Sequence, residues 1–344
     1  MRRSRRPIVI ASRRSRLARA QAELVGAALG RLHAGIEVRY EWIESEGDRD
    51  PRASLADSGG KGLFVRAIEQ ALLAGRADIA VHSLKDLPTQ ATAGLTIAAI
   101  PARAEVRDCL ITRSGAQRVE DLPHGAVLGT SGPRRAAQVR RLRPDVVVKP
   151  MRGNVETRLA KVLGAGDADG AHGNGNSNGN GEPHGLGEGF DATLLAAAGL
   201  RRAGLGPHAA VMLDVAVVLP AAGQGALAIQ CRQDDHVSIT RCLPLNDATT
   251  AACVHAERAV VAALQGDCHS PIAVYAQRRQ EGKGERYLLR ARVLSPDGVV
   301  CLEAEAEATP RMLTKAARGV ADDLLGRGAA EVMRGAIGVT AGQG

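Results

Sequence analysis

The chain reads as an α/β protein that ends in a smaller α+β unit, and three observations predict this. Five short, mostly apolar runs (Ile8 to Ala11, Asp78 to Val81, Ala126 to Leu128, Val146 to Val148, Thr193 to Ala196) each open into a turn carrying Gly, Ser, Thr or Asn beside arginine or lysine. From Asp247 onward the pattern changes to a helix, three strands and a last helix. At 344 residues and 45% hydrophobic content, the chain can form two or three domains with a core in each.

In chain order, Ile8 to Ala11 predicts a first buried strand. Ser12-Arg13-Arg14-Ser15 is the turn into a helix whose apolar face runs Leu17, Leu24, Val25, Ala28, Leu32, with Ser15 as N-cap. Ile36 to Trp42 alternates and predicts a second strand. A polar loop from Gly47-Asp48 to Gly59-Gly60-Lys61-Gly62 follows. It resembles a phosphate-binding P-loop only in part, because Leu55 and Gly62 stand where that motif needs Gly and Ser or Thr. A helix over Leu63 to Leu73 leads to the strand Asp78 to Val81. Its loop places a base (His82), a hydroxyl (Ser83), an ammonium (Lys85) and a carboxylate (Asp86) within five residues. In open α/β sheets ligands sit at the carboxyl ends of strands, so this is the candidate chemical centre. The ordinary alternative is a solvated loop held by a Lys85–Asp86 pair.

A second unit starts near Asp108. Ala126 to Leu128 feeds Gly129-Thr130-Ser131-Gly132-Pro133-Arg134-Arg135, with Pro133 at the first helical position. Val146 to Val148 feeds Arg152-Gly153-Asn154, with Asn154 as cap and Arg158 one turn on. Thr193 to Ala196 feeds Gly199-Leu200-Arg201-Arg202. Five strand-to-helix turns that carry cations where helix N–H groups also point suggest one shared anion site. Residues 164–189 have almost nothing apolar to bury and are expected to be disordered; His172 and His184 there read as loop residues. Ala226 to Gln230 is apolar enough to be a strand returned to the first sheet.

The third unit is expected to hold a helix over Ala251 to Leu264, strands at Ile272 to Ala276, Tyr287 to Leu294 and Val299 to Ala306, and one helix over Met312 to Met333. Its entry loop, Gly266-Asp267-Cys268-His269-Ser270-Pro271, offers a cysteine that is either a nucleophile or modification site or else a half-buried structural thiol. The expected domains are 1–104 with 226–243, then 105–219, then 247–344.

Composition narrows the function. The net charge is +8, yet only six basic residues are lysines and the other 39 are arginines, the side chain best suited to grip carboxylates through paired hydrogen bonds. Aromatic residues are 2%, too few for stacking nucleic-acid bases, so a small polyanion fits better than DNA or RNA. Six cysteines without a Cys-x-x-Cys argue against zinc and a disulfide framework, and suggest a reduced, cytoplasmic protein with no bound metal. The longest apolar runs are too short to span a membrane.

The run of motifs resembles the porphobilinogen deaminase (hydroxymethylbilane synthase) family from Ile8 to about Met333. The residues that carry it are Ala11-Ser12-Arg13-Arg14-Ser15-Arg16-Leu17-Ala18, Gly59 to Phe64, Ala80 to Asp86, Arg152-Gly153-Asn154-Val155 with Thr157-Arg158-Leu159, Ala198-Gly199-Leu200 with Arg202, Pro220 to Ala226, and Ala256-Glu257-Arg258-Ala259. The resemblance implies two domains like the halves of a periplasmic binding protein, each doubly wound, plus a small third. It also implies a dipyrromethane cofactor joined by a thioether to Cys268. On it, four porphobilinogen molecules are condensed head to tail with loss of ammonia, and water then frees hydroxymethylbilane. By the same resemblance Asp86 is the catalytic carboxylate. Ser83, Lys85, Thr130, Arg134, Arg135 and Asp48 contact the cofactor, while Arg13, Ser15, Arg152, Arg158, Arg202, Gln224 and Lys61 bind substrate. The implied protein is a cytoplasmic monomer that takes neither nucleic acid nor membrane as partner. Four features depart from the family pattern: Asp57 in place of a second loop lysine, Gly132-Pro133 in place of a hydroxyl-bearing pair, Asp267 before the cysteine, and the insertion at 164–189. A non-catalytic polyanion binder and a basic nucleic-acid binder are the alternatives.

Overall fold

The computed structural model describes residues 6–44, 63–164, 189–267, 269–281 and 284–335. Asp48, Asp57, Lys61, Cys268 and the body of the insertion lie outside these residues.

The first sheet holds β1 (Ile8–Arg13), β2 (Val38–Ile43), β3 (Ile79–Ser83), β4 (Leu95–Ala99) and β9 (Leu227–Arg232), in the order β2-β1-β3-β9-β4. Strands β1, β2 and β3 are parallel, whereas β9 runs antiparallel to both β3 and β4. Alternate residues sort to opposite faces, as a period of two requires. Ile8, Ile10, Ile79 and Val81 pack with Ala22, Val25 and Leu29 of α1 (Arg16–Leu32), while Ala11 and Ala80 pack with Ile68, Ala71 and Leu72 of α2 (Leu63–Leu73). A sheet covered on both faces exposes its chemistry only at its ends, which is why the functional residues sit there.

The second sheet repeats this arrangement with β5 (Asp108–Thr112), β6 (Val127–Gly129), β7 (Val147–Lys149) and β8 (Ala192–Ala196), in the order β5-β8-β6-β7. Strands β6, β7 and β8 are parallel and β5 is antiparallel. Helix α3 (Pro133–Leu142) lies against one face through Val139. Helices α4 (Val155–Leu163) and α5 (Ala197–Arg202) cover the other through Leu159, Val162 and Leu200. Both expected caps form: Ser15 accepts a bond from Ala18 N at 3.4 Å and Asn154 one from Thr157 N at 2.8 Å.

The third unit packs α7 (Ala248–Ala263) and α8 (Leu313–Gly326) on one antiparallel sheet, β10 (Ile272–Glu281), β11 (Gly284–Leu294) and β12 (Cys301–Ala308). The expected single last helix is in fact two, because Gly328 takes a left-handed φ of 84° and restarts the chain as α9 (Ala329–Arg334). Between β9 and α7 lies a helix not anticipated from sequence, α6 (His236–Cys242), capped by Asp235. The structure is thus a mixed α/β protein with a smaller α+β unit at its end.

Two segments join the first two sheets, one after β4 and the other before β9, and they meet where Ala104 N donates to Gly225 O at 3.2 Å. Gly225 has φ +85°, and a Cβ there would lie 2.7 Å from Ala104 O and 2.8 Å from Glu105 O. Neither backbone oxygen can retreat cheaply. Gly225→Ala should therefore lower stability by about 3 kcal/mol, from left-handed strain plus overlap, measurable as a drop in Tm.

Candidate functional site

Strand β3 ends in a tight 3₁₀ turn, Leu84–Asp86, anchored on either side. Leu84 is fully buried and its N–H donates to Ala226 O at 3.0 Å. The carbonyls of Leu87 and Pro88 each accept a bond from Arg258 of α7, at 2.8 and 2.5 Å. Pinned at both ends, the turn points Lys85 inward and leaves Asp86 exposed. Lys85 Nζ donates to Gln224 Oε1 at 3.2 Å, and among the described residues Asp86 makes no hydrogen bond and no ion pair with Lys85. The ordinary reading of this loop as a Lys–Asp pair therefore does not hold. Burial, then the neighbouring Arg135, pushes the Lys85 ammonium down to about 8, against the opposing pull of Asp86 and Asp108.

Facing this turn across the cleft floor is Asp108, the first residue of β5, which is 0% exposed. It receives Arg134 Nη2 and Arg135 Nη2, each at 2.7 Å, and Gln224 Nε2 at 3.0 Å. Burial alone would raise its pKa, but the two guanidiniums hold the carboxyl well below the usual range. Arg134 is further tied to Leu219 O at 2.7 Å. Thr130 is buried at the end of β6 and its hydroxyl accepts from Gly132 N at 3.2 Å. Gly132 caps α3 without a side-chain bond, and Pro133 takes the first helical position.

Arg158 faces the same space, and Arg202 lies against the return crossover. Arg158 Nε donates to Gly153 O at 2.9 Å. Burial, and then Arg135, lowers its pKa to about 10, while Asp86 acts in the opposite sense. Arg202 Nη2 donates to Gly225 O at 2.7 Å and is lowered to about 10 by burial. Ser83 Oγ accepts from Gln21 Nε2 of α1 at 2.9 Å. Arg13 closes β1, and Arg152 is exposed just before α4.

A family described as porphobilinogen deaminase, dipyromethane cofactor binding domain, matches residues 8–240, and its C-terminal domain matches residues 251–325. The chain belongs to the porphobilinogen deaminase family. Curated relatives of that name include those of Sorangium cellulosum (44% identical over 87% of this chain and 90% of the relative) and Thiobacillus denitrificans (42% identical over 95% and 97%). A third, from Sphingopyxis alaskensis, is 45% identical over 85% of each chain.

The cleft's chemistry suits the polycarboxylate group that the family's first domain is named for. Arg135 is 9% exposed and its Nε is buried without a hydrogen-bond partner among the described residues, an orphan donor that a ligand carboxylate would satisfy. Lys85 and Arg158, each acted on by Arg135, bring two further cations to the same cleft.

Two placements were not legible from the sequence. Gln224 is 0% exposed, with Nε2 bonded to Val106 O at 2.7 Å and to Asp108 at 3.0 Å, and Oε1 facing Lys85 at 3.2 Å. His82 is no base for the cleft. It lies buried on β3, its Nε2 2.9 Å from Gln230 Oε1, whose amide donates to Glu69 at 2.9 Å. Sequence reading missed Asp108, though a carboxylate heading the apolar strand Cys109-Leu110-Ile111 was a visible signal.

Burial lowers the His82 pKa from 6.5 to about 4. Because the folded value lies below the unfolded one, its neutral form stabilises the fold fully above pH 6.5, and this stability is lost as pH falls toward 4. The loss should be on the order of 3 kcal/mol. Denaturant melts from pH 7 to 4 should show this slope in the natural protein and a flatter one in His82→Gln.

Proposed function

We propose that the chain condenses four porphobilinogen molecules head to tail, releasing ammonia at each step, and finally frees hydroxymethylbilane with water. Membership of the family makes it a transferase of tetrapyrrole biosynthesis with a dipyrromethane cofactor. In this reading the cofactor is thioether-linked to Cys268, and when bound it supplies the nucleophilic pyrrole carbon to which substrate is joined. Lys85, Arg135 and Arg134, with Ser83, Thr130 and Asp48, hold its acetate and propionate groups. Arg13, Ser15, Arg152, Arg158, Arg202 and Lys61 hold those of incoming substrate. The division into domains at 1–104 with 226–243, 105–219 and 247–344 belongs to the same proposal, as does a cytoplasmic monomer.

The observation that carries the reading is Asp86, an exposed carboxylate with no hydrogen bond among the described residues, on a turn anchored at both ends. Departure of ammonia leaves a cation delocalised onto the substrate's ring nitrogen. A fixed carboxylate stabilises that developing charge and accepts a bond from the ring N–H. The arginines meet carboxylates that are ionised before and during reaction alike, so they contribute to binding more than to the barrier.

Two experiments test this. Intact mass of the purified protein should exceed the sequence mass by two linked pyrroles, and Cys268→Ala should lose that increment; an unmodified but active protein would defeat the attachment. Asp86→Asn keeps the shape and removes the charge. Its turnover should fall about a hundredfold, with cofactor retained and apparent affinity little changed, read by steady-state kinetics beside a thermal melt. Near-normal turnover would remove Asp86 from its role.

A further inference from the structure

We propose that Asp108 and Gln224 form a positioning pair that holds Lys85 and Arg135 side by side as two cations facing one ligand carboxylate. The inference rests on reading the cleft as a polycarboxylate site, and it assigns work to two side chains that touch no ligand.

The geometry leaves Gln224 one orientation. Both hydrogens of its Nε2 are taken, by Val106 O at 2.7 Å and Asp108 Oδ1 at 3.0 Å, so its oxygen must face the Lys85 ammonium at 3.2 Å. With no exposed surface, the amide has no water to replace any of these partners. Asp108 Oδ1 also receives Arg135 Nη2 at 2.7 Å. One buried carboxylate oxygen thus reaches Arg135 directly and Lys85 through a single oriented amide. The four groups come from four separate segments: the β3 turn, the return crossover before β9, the start of β5, and α3.

Such a device has a physical reason to exist. Lys85 faces like charges on Arg135 and Arg134 and opposite charges on Asp86 and Asp108. An arginine keeps its proton under these conditions, whereas a half-buried lysine relieves repulsion by releasing its own. An uncharged amine would leave a ligand carboxylate with half its pairing. Lys85 stands at about 8, close enough to neutrality for the loss of one favourable neighbour to matter.

Pulsed reductive methylation with formaldehyde and cyanoborohydride, between about pH 6 and 10, reads the proton on each lysine through peptide mass spectrometry. Gln224→Met keeps side-chain length and the Asp108 ion pairs while removing the acceptor, and Asp108→Asn removes the charge. In both, the labelling midpoint of Lys85 should fall by about one pH unit while exposed Lys315 stays fixed. Should Asp108→Asn fail to fold, Gln224→Met carries the test alone. A Lys85 midpoint unmoved in a folded Gln224→Met protein overturns the proposal, because a merely structural glutamine would give that result. Intact mass of the same samples separately reports cofactor attachment, so failure of the functional reading and failure of this inference remain distinguishable.

Discussion

Glu257 has no exposed surface and accepts four hydrogen bonds: two from Arg103, at 2.6 and 3.0 Å, one from Gly223 N at 2.7 Å, and one from Ala276 N at 2.8 Å. Its partners belong to both crossovers between the first two sheets and to the third unit's own sheet. Arg103 extends the knot by donating to Gln224 O at 2.8 Å. A buried carboxylate is tolerated only when every lone pair is met, and removing one member of such a pair costs about 3–5 kcal/mol. The third unit is therefore no appendage. Through Glu257 it fixes the crossovers, and through the adjacent Arg258 it fixes the end of the Asp86 turn, so one helix edge sets the cleft's floor.

The second constraint is an excess of positive charge. Lys85, Arg134, Arg135 and Arg158 gather around the buried Asp108 and the exposed Asp86, which makes no hydrogen bond among the described residues yet acts electrostatically on Lys85 and Arg158. This imbalance is costly in an empty protein and favourable once carboxylates arrive, the usual signature of a site whose stability has been exchanged for binding. Arginine suits the task because its charge persists when desolvated and its planar fork meets a carboxylate with two bonds. The third unit is likewise fastened to the second sheet by arginine: Arg292 donates to Gln138 Oε1 at 2.8 Å and Arg140 to Pro296 O at 2.8 Å.

Much of this was legible in the sequence. The strand-to-helix turns are local features, so Ser15, Asn154 and Pro133 announced their helix starts, and Ala226 to Gln230 announced a strand by its apolar run. The Lys85 and Asp86 turn was visible as polar density after a strand. What could not be read was long-range. Nothing near Gln224 in the chain says that its amide will be sealed between Lys85 and Asp108, 139 and 116 residues away. His82 looked like a base because local sequence does not say which face of β3 it takes, and that face turned out to be the one under Gln230. Gly328 was overlooked because a glycine within a helical pattern is often tolerated, and only its left-handed φ shows the break.

The place of β9 between β3 and β4 also governs how the protein is made. Neither neighbour has its partner until residue 232 has left the ribosome, by which time the entire second sheet has already been synthesised. Until then β3 and β4 present open edges, with apolar residues of both faces uncovered. The two sheets cannot therefore mature strictly one after the other; the nascent chain must keep its first hundred residues from pairing wrongly while the next hundred fold. Contacts between residues some 150 positions apart make this closure slow on topological grounds.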